Sequence, residues 1–190
     1  YEKDYLSEFE AKGEALEALQ SGPDKEIKAL ADFSTTRYDQ YKTGSYVNSA
    51  MYMGTNSTSY YFSVANGNIS RFFNEMYMNT PWDYHYSSLD GRTILDRLAA
   101  VKYFAIKNNG YAYLPYGYDS EVSSAKKYKI YENQDSLPLG YTYDTWIPRD
   151  KYEKLSVTEK QQALLQGAVV EKSSLPETEL SFDDKKADFT

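Results

Sequence analysis

A chain of 190 residues with 41% hydrophobic content has room for one domain with a core of its own, with no need of disulfides or metals to fold. Its formal net charge of −7, with no dense Lys/Arg cluster, argues against nucleic acid as a partner. With no cysteine and one histidine, His85, disulfides, cysteine zinc sites, thiol catalysis and histidine-rich metal centres are excluded.

Residues 2–20 place Leu6, Phe9, Gly13, Leu16 and Leu19 near helical spacing, which predicts a helix with one apolar face. Ser21-Gly22-Pro23 stops it. Pro23 opens a second, short helix with Ile27, Leu30 and Ala31 inward. Phe33–Tyr41 alternates like a strand. Gly44–Asn68 is rich in Tyr, Ser, Asn and Met. It is expected to be largely irregular, with strand-like patches at Tyr46–Met53 and Ser59–Val64. Asn68 is placed to cap a helix over Ile69–Met76, and Asp90 to cap one over Arg92–Ala100.

Val101–Ile106 is apolar on both faces, as in a central strand covered on both sides. Tyr111–Asp119 is an aromatic loop interrupted by Pro115 and Gly117. Tyr128–Glu132 and Leu139–Ile147 both have strand character. The turn formers between them suggest a hairpin, though other pairings fit a loop of that length. In the second run Leu139, Tyr141, Tyr143, Thr145 and Ile147 share one face, read as core. Asp144 and Trp146 share the other. Ser156–Glu159 is a capping box for a helix ending at Gly167. Ala168–Glu171 is short and β-like.

These elements alternate loosely, which predicts an α+β fold and not a doubly wound one. The expected layout is a single domain over residues 1–172, with leading helices over 1–31. A mixed or antiparallel sheet is flanked by helices and long Tyr/Asn/Ser-rich loops. Residues 173–190 read as an acidic, poorly ordered tail or the leader to a following domain. The chain starts at Tyr1 without Met and enters a helical pattern at once, which reads as a piece excised from a longer protein. No run approaches the ~20 apolar residues of a membrane span.

Trp82, Asp83, Tyr84 and His85 form the densest aromatic and polar cluster, in a loop opened by Pro81. An aromatic face stacks on the apolar side of a sugar ring while a carboxylate takes its hydroxyls. These four are the leading ligand candidates. Asn48, Tyr61 and Ser63, in the irregular stretch, are weaker ones. Gly-rich phosphate loops, zinc-protease motifs and calcium loops are absent from the sequence. A carboxylate pair drawn from Asp83, Asp90, Asp119, Asp135 and Asp144 is the one catalytic arrangement left open. No catalytic residue, metal ligand or cofactor is assigned to this chain.

Three segments in order, DGRTILDRLAAVKYFAI (Asp90–Ile106), YKIYENQDSLPLGYTYDTWI (Tyr128–Ile147) and YEKLSVTEKQQALLQGAVVE (Tyr152–Glu171), resemble the extracytoplasmic part of bacterial YfhO-family membrane proteins. FSTTRYDQY (Phe33–Tyr41) and NSAMYMGTNSTSYYFSVANGNISRFFNEM (Asn48–Met76) resemble the part before it, so the likeness covers roughly residues 30–171. The resemblance implies a polytopic parent similar to lipid-linked-sugar glycosyltransferases, which adds sugars to lipoteichoic acid or related envelope polymers in Gram-positive bacteria. It implies a polyprenyl-phosphate sugar donor for that parent, and catalytic carboxylates in membrane-proximal loops absent from this chain. The expected partners are the envelope polymer or lipid-linked sugar and the chain's own transmembrane domain. The expected role is to position acceptor or donor sugar. Two alternatives are a non-enzymatic scaffold docking another membrane component, and a free-standing carbohydrate-active enzyme using an Asp/Glu pair.

Overall fold

The computed structural model describes residues 11–30, 34–41, 43, 47–78, 84–108, 114–124 and 127–183. The first half of the predicted leading helix, Phe33, Asn109-Gly110 and the start of the Tyr111–Asp119 loop lie outside them. The elements in chain order are α1 (Glu14–Leu19), α2 (Asp24–Lys28), β1 (Arg37–Tyr41), α3 (Ser49–Met53), β2 (Tyr60–Tyr61), α4 (Gly67–Glu75), β3 (His85–Tyr86), α5 (Thr93–Leu98), β4 (Val101–Lys107), β5 (Ser120–Ser124), β6 (Tyr128–Glu132), β7 (Trp146–Pro148), α6 (Arg149–Tyr152), α7 (Val157–Ala163) and β8 (Ala168–Val170). The fold is α+β, as expected. The chain packs as two compact units, residues 1–65 with 80–139 and residues 66–79 with 140–190.

The first unit is built on a mixed four-stranded sheet in the order β1-β4-β6-β5. β1 runs parallel to β4, and β6 is antiparallel to both β4 and β5. The apolar run Val101–Ile106 becomes the central strand β4 because neither of its faces can be left in water. Tyr103 and Ala105 join Ile27, Tyr38, Ala50 and Ile130 in one core cluster. Phe104 and Ile106 point the other way and are also buried, with the Phe104 and Tyr118 rings 5.4 Å apart.

β6 therefore pairs with the strands before it, and the suggested hairpin with Leu139–Ile147 does not form. Leu139 and Tyr141 are exposed, and only Trp146–Pro148 of that region is a strand. The division between units falls at Leu139-Gly140, where turn-forming residues end the first unit. Tyr46–Met53 also differs from expectation, since Ser49–Met53 is a helix set between two left-handed residues, Asn48 and Gly54. Asp90 does not cap α5. It adopts a left-handed conformation, and its N–H bonds to the Ser88 hydroxyl at 3.0 Å.

In the second unit, α4 is capped by Asn66 and not Asn68. The Asn66 Oδ1 accepts from the Asn68 N–H at 2.9 Å. β7 and β8 pair in parallel. The Ser156 capping box forms, with Glu159 N–H donating to Ser156 Oγ at 3.3 Å and Ser156 N–H to Glu159 Oε2 at 2.8 Å. Ser156→Ala is expected to cost about 1 kcal/mol, read as a lower urea midpoint with an unchanged slope.

Residues 173–183 are docked and do not form a frayed tail. Trp146 N–H donates to Pro176 O at 3.0 Å and Thr178 N–H to Trp146 O at 2.8 Å, on the side of β7 away from β8. Gln166 holds Ser181 through both ends of its amide. This strap also explains Gly167. A Cβ there would run into Thr178 Oγ1, so the glycine serves a close approach as well as a helix end.

Candidate functional site

Most of the described sequence candidates converge on the short antiparallel ribbon of β2 and β3. Tyr60 pairs with Tyr86 and Tyr61 with His85, and the Phe62 N–H extends the ladder to Tyr84 O at 3.1 Å. The two-residue period puts Tyr60 and Tyr86 on one face of the ribbon and Tyr61 and His85 on the other, with Tyr84 just before the strand. Tyr86 is fully buried, with its ring 4.7 Å from that of half-buried Tyr60. Burial and the neighbouring Tyr86 push the Tyr60 hydroxyl up to about 12. On the outward side Tyr61 meets Tyr84 edge to face at 5.6 Å and His85 at 6.1 Å. Ser63 is exposed just beyond. Trp82 and Asp83 lie outside the described residues.

Asn48 also belongs to this cluster, in a different capacity. Its amide donates to Tyr61 O and accepts from Tyr61 N–H, both at 2.8 Å, so it pairs with the ribbon as a neighbouring strand would. It positions Tyr61. Below it opens a cavity of about 170 Å³ whose lining includes Arg37, Asn48, Met51, Asn56, Ser57 and Tyr60.

Two buried carboxyls hold the ribbon in place, and the sequence reading did not single out either. Asp24 accepts from three hydroxyls: Tyr38 at 2.6 Å, Thr55 at 2.7 Å and Ser49 at 2.9 Å. Burial first, and Asp24 second, push the Tyr38 hydroxyl well above its usual range. Asp39 accepts from Thr58 Oγ1 at 2.8 Å and from the Leu89 N–H at 3.1 Å. Thr58 leads into β2 and Leu89 follows β3, so one side chain fastens both roots of the ribbon. The backbone adds to this, with Tyr38 N–H donating to Asn56 O at 2.9 Å and Thr58 N–H to Tyr38 O at 3.1 Å. Asp39 is pushed up to about 6 by burial, against the pull of its three donors, Leu89, Thr58 and Gln40.

A third buried carboxyl, Asp96, neighbours Asp39. Burial and then the repulsion of Asp39 push it up to about 8. Its Oδ2 lies 3.2 Å from the Tyr118 hydroxyl, which is 3.0 Å from Val101 O. One hydroxyl carries one proton, and a carbonyl can only accept. Both contacts are full hydrogen bonds only when Asp96 brings a proton of its own. Asp24, Asp39 and Asp96 are sealed from solvent, so they brace the site and do not face a substrate. Of the carboxylates the sequence reading proposed for catalysis, Asp90, Asp119, Asp135 and Asp144 are exposed and Asp83 lies outside the described residues.

The second unit has its own cleft of about 430 Å³, lined by Arg71, Phe72, Glu75, Arg149, Tyr152 and Val169 among others. Arg71 bonds Glu75 at 3.1 Å and Glu153 at 2.6 Å. Arg149 bonds Glu153 at 3.0 Å and also Glu75. The guanidiniums and carboxylates neutralise one another, which leaves this cleft little net field for a charged ligand.

Among the described residues no helix is long and apolar enough to cross a membrane, and no group of three or more His, Cys, Asp or Glu could hold a metal. The family model described as bacterial membrane protein YfhO matches residues 2–189. The chain belongs to the YfhO family. The YfhO match is wider than residues 30–171 and takes in both units and the strap. The chain is 28% identical over 179 residues to the "Uncharacterized protein YfhO" of Bacillus subtilis (strain 168), covering 90% of this chain and 20% of that protein. It thus spans about a fifth of the length of its YfhO relative. No solved structure matches it significantly.

Proposed function

We infer that this chain is an extracytoplasmic domain of a polytopic YfhO-family protein that glycosylates cell-envelope polymers of the lipoteichoic type. The domain positions the acceptor polymer or the donor sugar beside the membrane. The observation that carries this reading is the outward cluster of Tyr61, Tyr84 and His85, mounted edge to face on an anchored ribbon. Aromatic rings with neutral hydrogen-bonding neighbours suit sugar rings, which offer an apolar face and a rim of hydroxyls. Tyr61 and Tyr84 supply faces for stacking. His85 and Ser63 supply polar contacts, and Trp82 and Asp83 complete the set. The donor is a polyprenyl-phosphate sugar handled by the rest of the parent, where the catalytic carboxylates reside.

Titration calorimetry with simple sugars and teichoic-acid fragments tests the contact. Tyr84→Ala and Trp82→Ala are each expected to weaken binding about tenfold, equivalent to ~1.4 kcal/mol, while the fold survives. The same changes in the full-length protein are expected to lower polymer glycosylation in cells. Heat-free titrations together with unchanged glycosylation sink the reading.

A further inference from the structure

The ribbon that presents Tyr61 and Tyr84 ends in an apolar tip. Met51 is 81% exposed, Phe62 60% and Val64 78%, with Tyr52 also in the open. Asn48, which immediately precedes α3, bonds Tyr61 through its amide, so α3 is joined to the ribbon one residue before Phe62. Where exposed apolar side chains of this size form one patch, they mark a contact surface. The chain on either side of these residues is anchored, by Asn48 on Tyr61, Asp24 on Thr55 and Asp39 on Thr58.

The sequence around this tip has a second property. Residues 43–70 contain no Lys, Arg, Asp or Glu, in a chain that is 26% charged. Their polar residues are Ser, Thr, Asn and Tyr, which hydrogen-bond without carrying charge. A surface for a soluble protein partner has a polar, solvent-accessible rim, which Ser, Thr and Asn can also supply, so a protein partner is an outcome the test must separate. A surface for anionic headgroups needs Lys or Arg. The boundary between headgroups and acyl chains accepts aromatic and apolar side chains, and uncharged hydrogen-bonders escape the cost that charge meets below it. The chain belongs to a family of membrane proteins and spans a fifth of its relative, which brings a bilayer into consideration as the occupant of this surface.

We propose that the tip formed by Met51, Tyr52, Phe62 and Val64 docks into the interfacial zone of the lipid bilayer. It seats the domain on the membrane through apolar and neutral contacts and without lipid charge. This inference rests on the exposed tip and the uncharged run, and it stands whether or not Tyr61 and Tyr84 touch sugar. If both hold, the sugar platform sits at headgroup height, where a lipid-linked sugar is presented.

The methionines permit a direct test. The chain is labelled with ¹³C at its methionine methyls and held by a C-terminal polyhistidine tail on nickel-chelating phosphatidylcholine nanodiscs doped with spin-labelled lipid. The Met51 methyl is expected to broaden at least about threefold more than those of buried Met76 and Met78, as insertion of the tip requires. Phe62→Asp is expected to abolish the extra broadening. An unchanged urea midpoint and unchanged signals of the buried first-unit core then certify that the variant is folded, since Met76 and Met78 belong to the second unit. Replacing half the phosphatidylcholine with phosphatidylglycerol is expected not to strengthen the effect, given the net charge of −7. Met51 broadening no greater than Met76, insensitivity to Phe62→Asp, or dependence on anionic lipid overturns the proposal. So does a Met51 shift that grows with protein concentration in the absence of lipid, which would assign the tip to a second copy of the chain. Sugar titrations of Phe62→Asp are expected to match the wild type, so the two readings can fail separately.

Discussion

Asp24→Ala is expected to lower the stability of the chain by about 3–5 kcal/mol, among the largest effects available from one side chain outside the apolar core. Asp24 is buried, as are the three residues whose hydroxyls it accepts, Tyr38, Ser49 and Thr55. Alanine removes the shared acceptor of three buried hydroxyls, and Thr55 keeps only a long 3.5 Å contact to Ala50 O. Each orphaned hydroxyl costs roughly 1–3 kcal/mol, partly recovered if water enters. The loss also releases α2, β1 and α3 from one another at the point where the ribbon is rooted. Asp24→Asn keeps an oxygen for Tyr38 and Thr55 and disturbs chiefly the Ser49 bond, so it is expected to cost about 1–2 kcal/mol. Urea denaturation followed by tyrosine fluorescence measures both. Equal losses for Ala and Asn would show that the oxygen Asn retains for Tyr38 and Thr55 contributes nothing, and would refute this account.

The second large effect is a dependence on pH. Asp96 is pushed up to about 8 in the folded chain, by burial and then by Asp39. In the unfolded chain it titrates at its ordinary value, near 4. Between those values the folded state holds a proton that the unfolded state has released, so rising pH favours unfolding. The stabilisation is complete below about pH 4 and lost as pH rises through about 8, on the order of 3–5 kcal/mol over the window. Asp39, pushed up to about 6, adds a smaller loss of the same sign that ends earlier.

Asparagine imitates the protonated acid. Its NH₂ donates to the Tyr118 hydroxyl, which remains free to donate to Val101 O. Asp96→Asn is therefore expected to match the wild type near pH 4.5 and to exceed it by a few kcal/mol near pH 8. The difference between the two denaturation curves is the readout, because acidic groups away from Asp96 and its neighbour Asp39 affect both equally. Parallel curves across the range would refute a protonated Asp96.

Some of this architecture was legible in residue order. Val101–Ile106 announces a central strand because no face of it tolerates water, and β4 has a partner on each side. The Ser156 capping box lies within one turn of helix and needs nothing from elsewhere. The hairpin expectation failed for a related reason. Asn133–Pro138 says that the chain turns, but a turn does not choose a strand's partner, and β4 and β5 offered β6 longer ladders. The aromatic density at residues 82–86 marked one half of the candidate site. Its other half, Tyr61 with its Asn48 support, stood out only weakly, because register across the ribbon joins residues far apart in the chain.

The tip and the carboxyls beneath it separate the two levels most clearly. Composition alone determined that a long uncharged, Tyr-rich stretch lies in the middle of an acidic chain, and segment order determined its family. Asp39 sits in a polar strand pattern, and nothing within a few residues of it signals burial. Its environment is made by Thr58 and Leu89, and that of Asp96 by Tyr118 and Asp39. Periodicity, capping and turn chemistry act over a few residues and survive as local patterns. Strand partners, desolvation and the proton on a buried acid depend on which distant groups arrive beside it, and only the tertiary structure decides that.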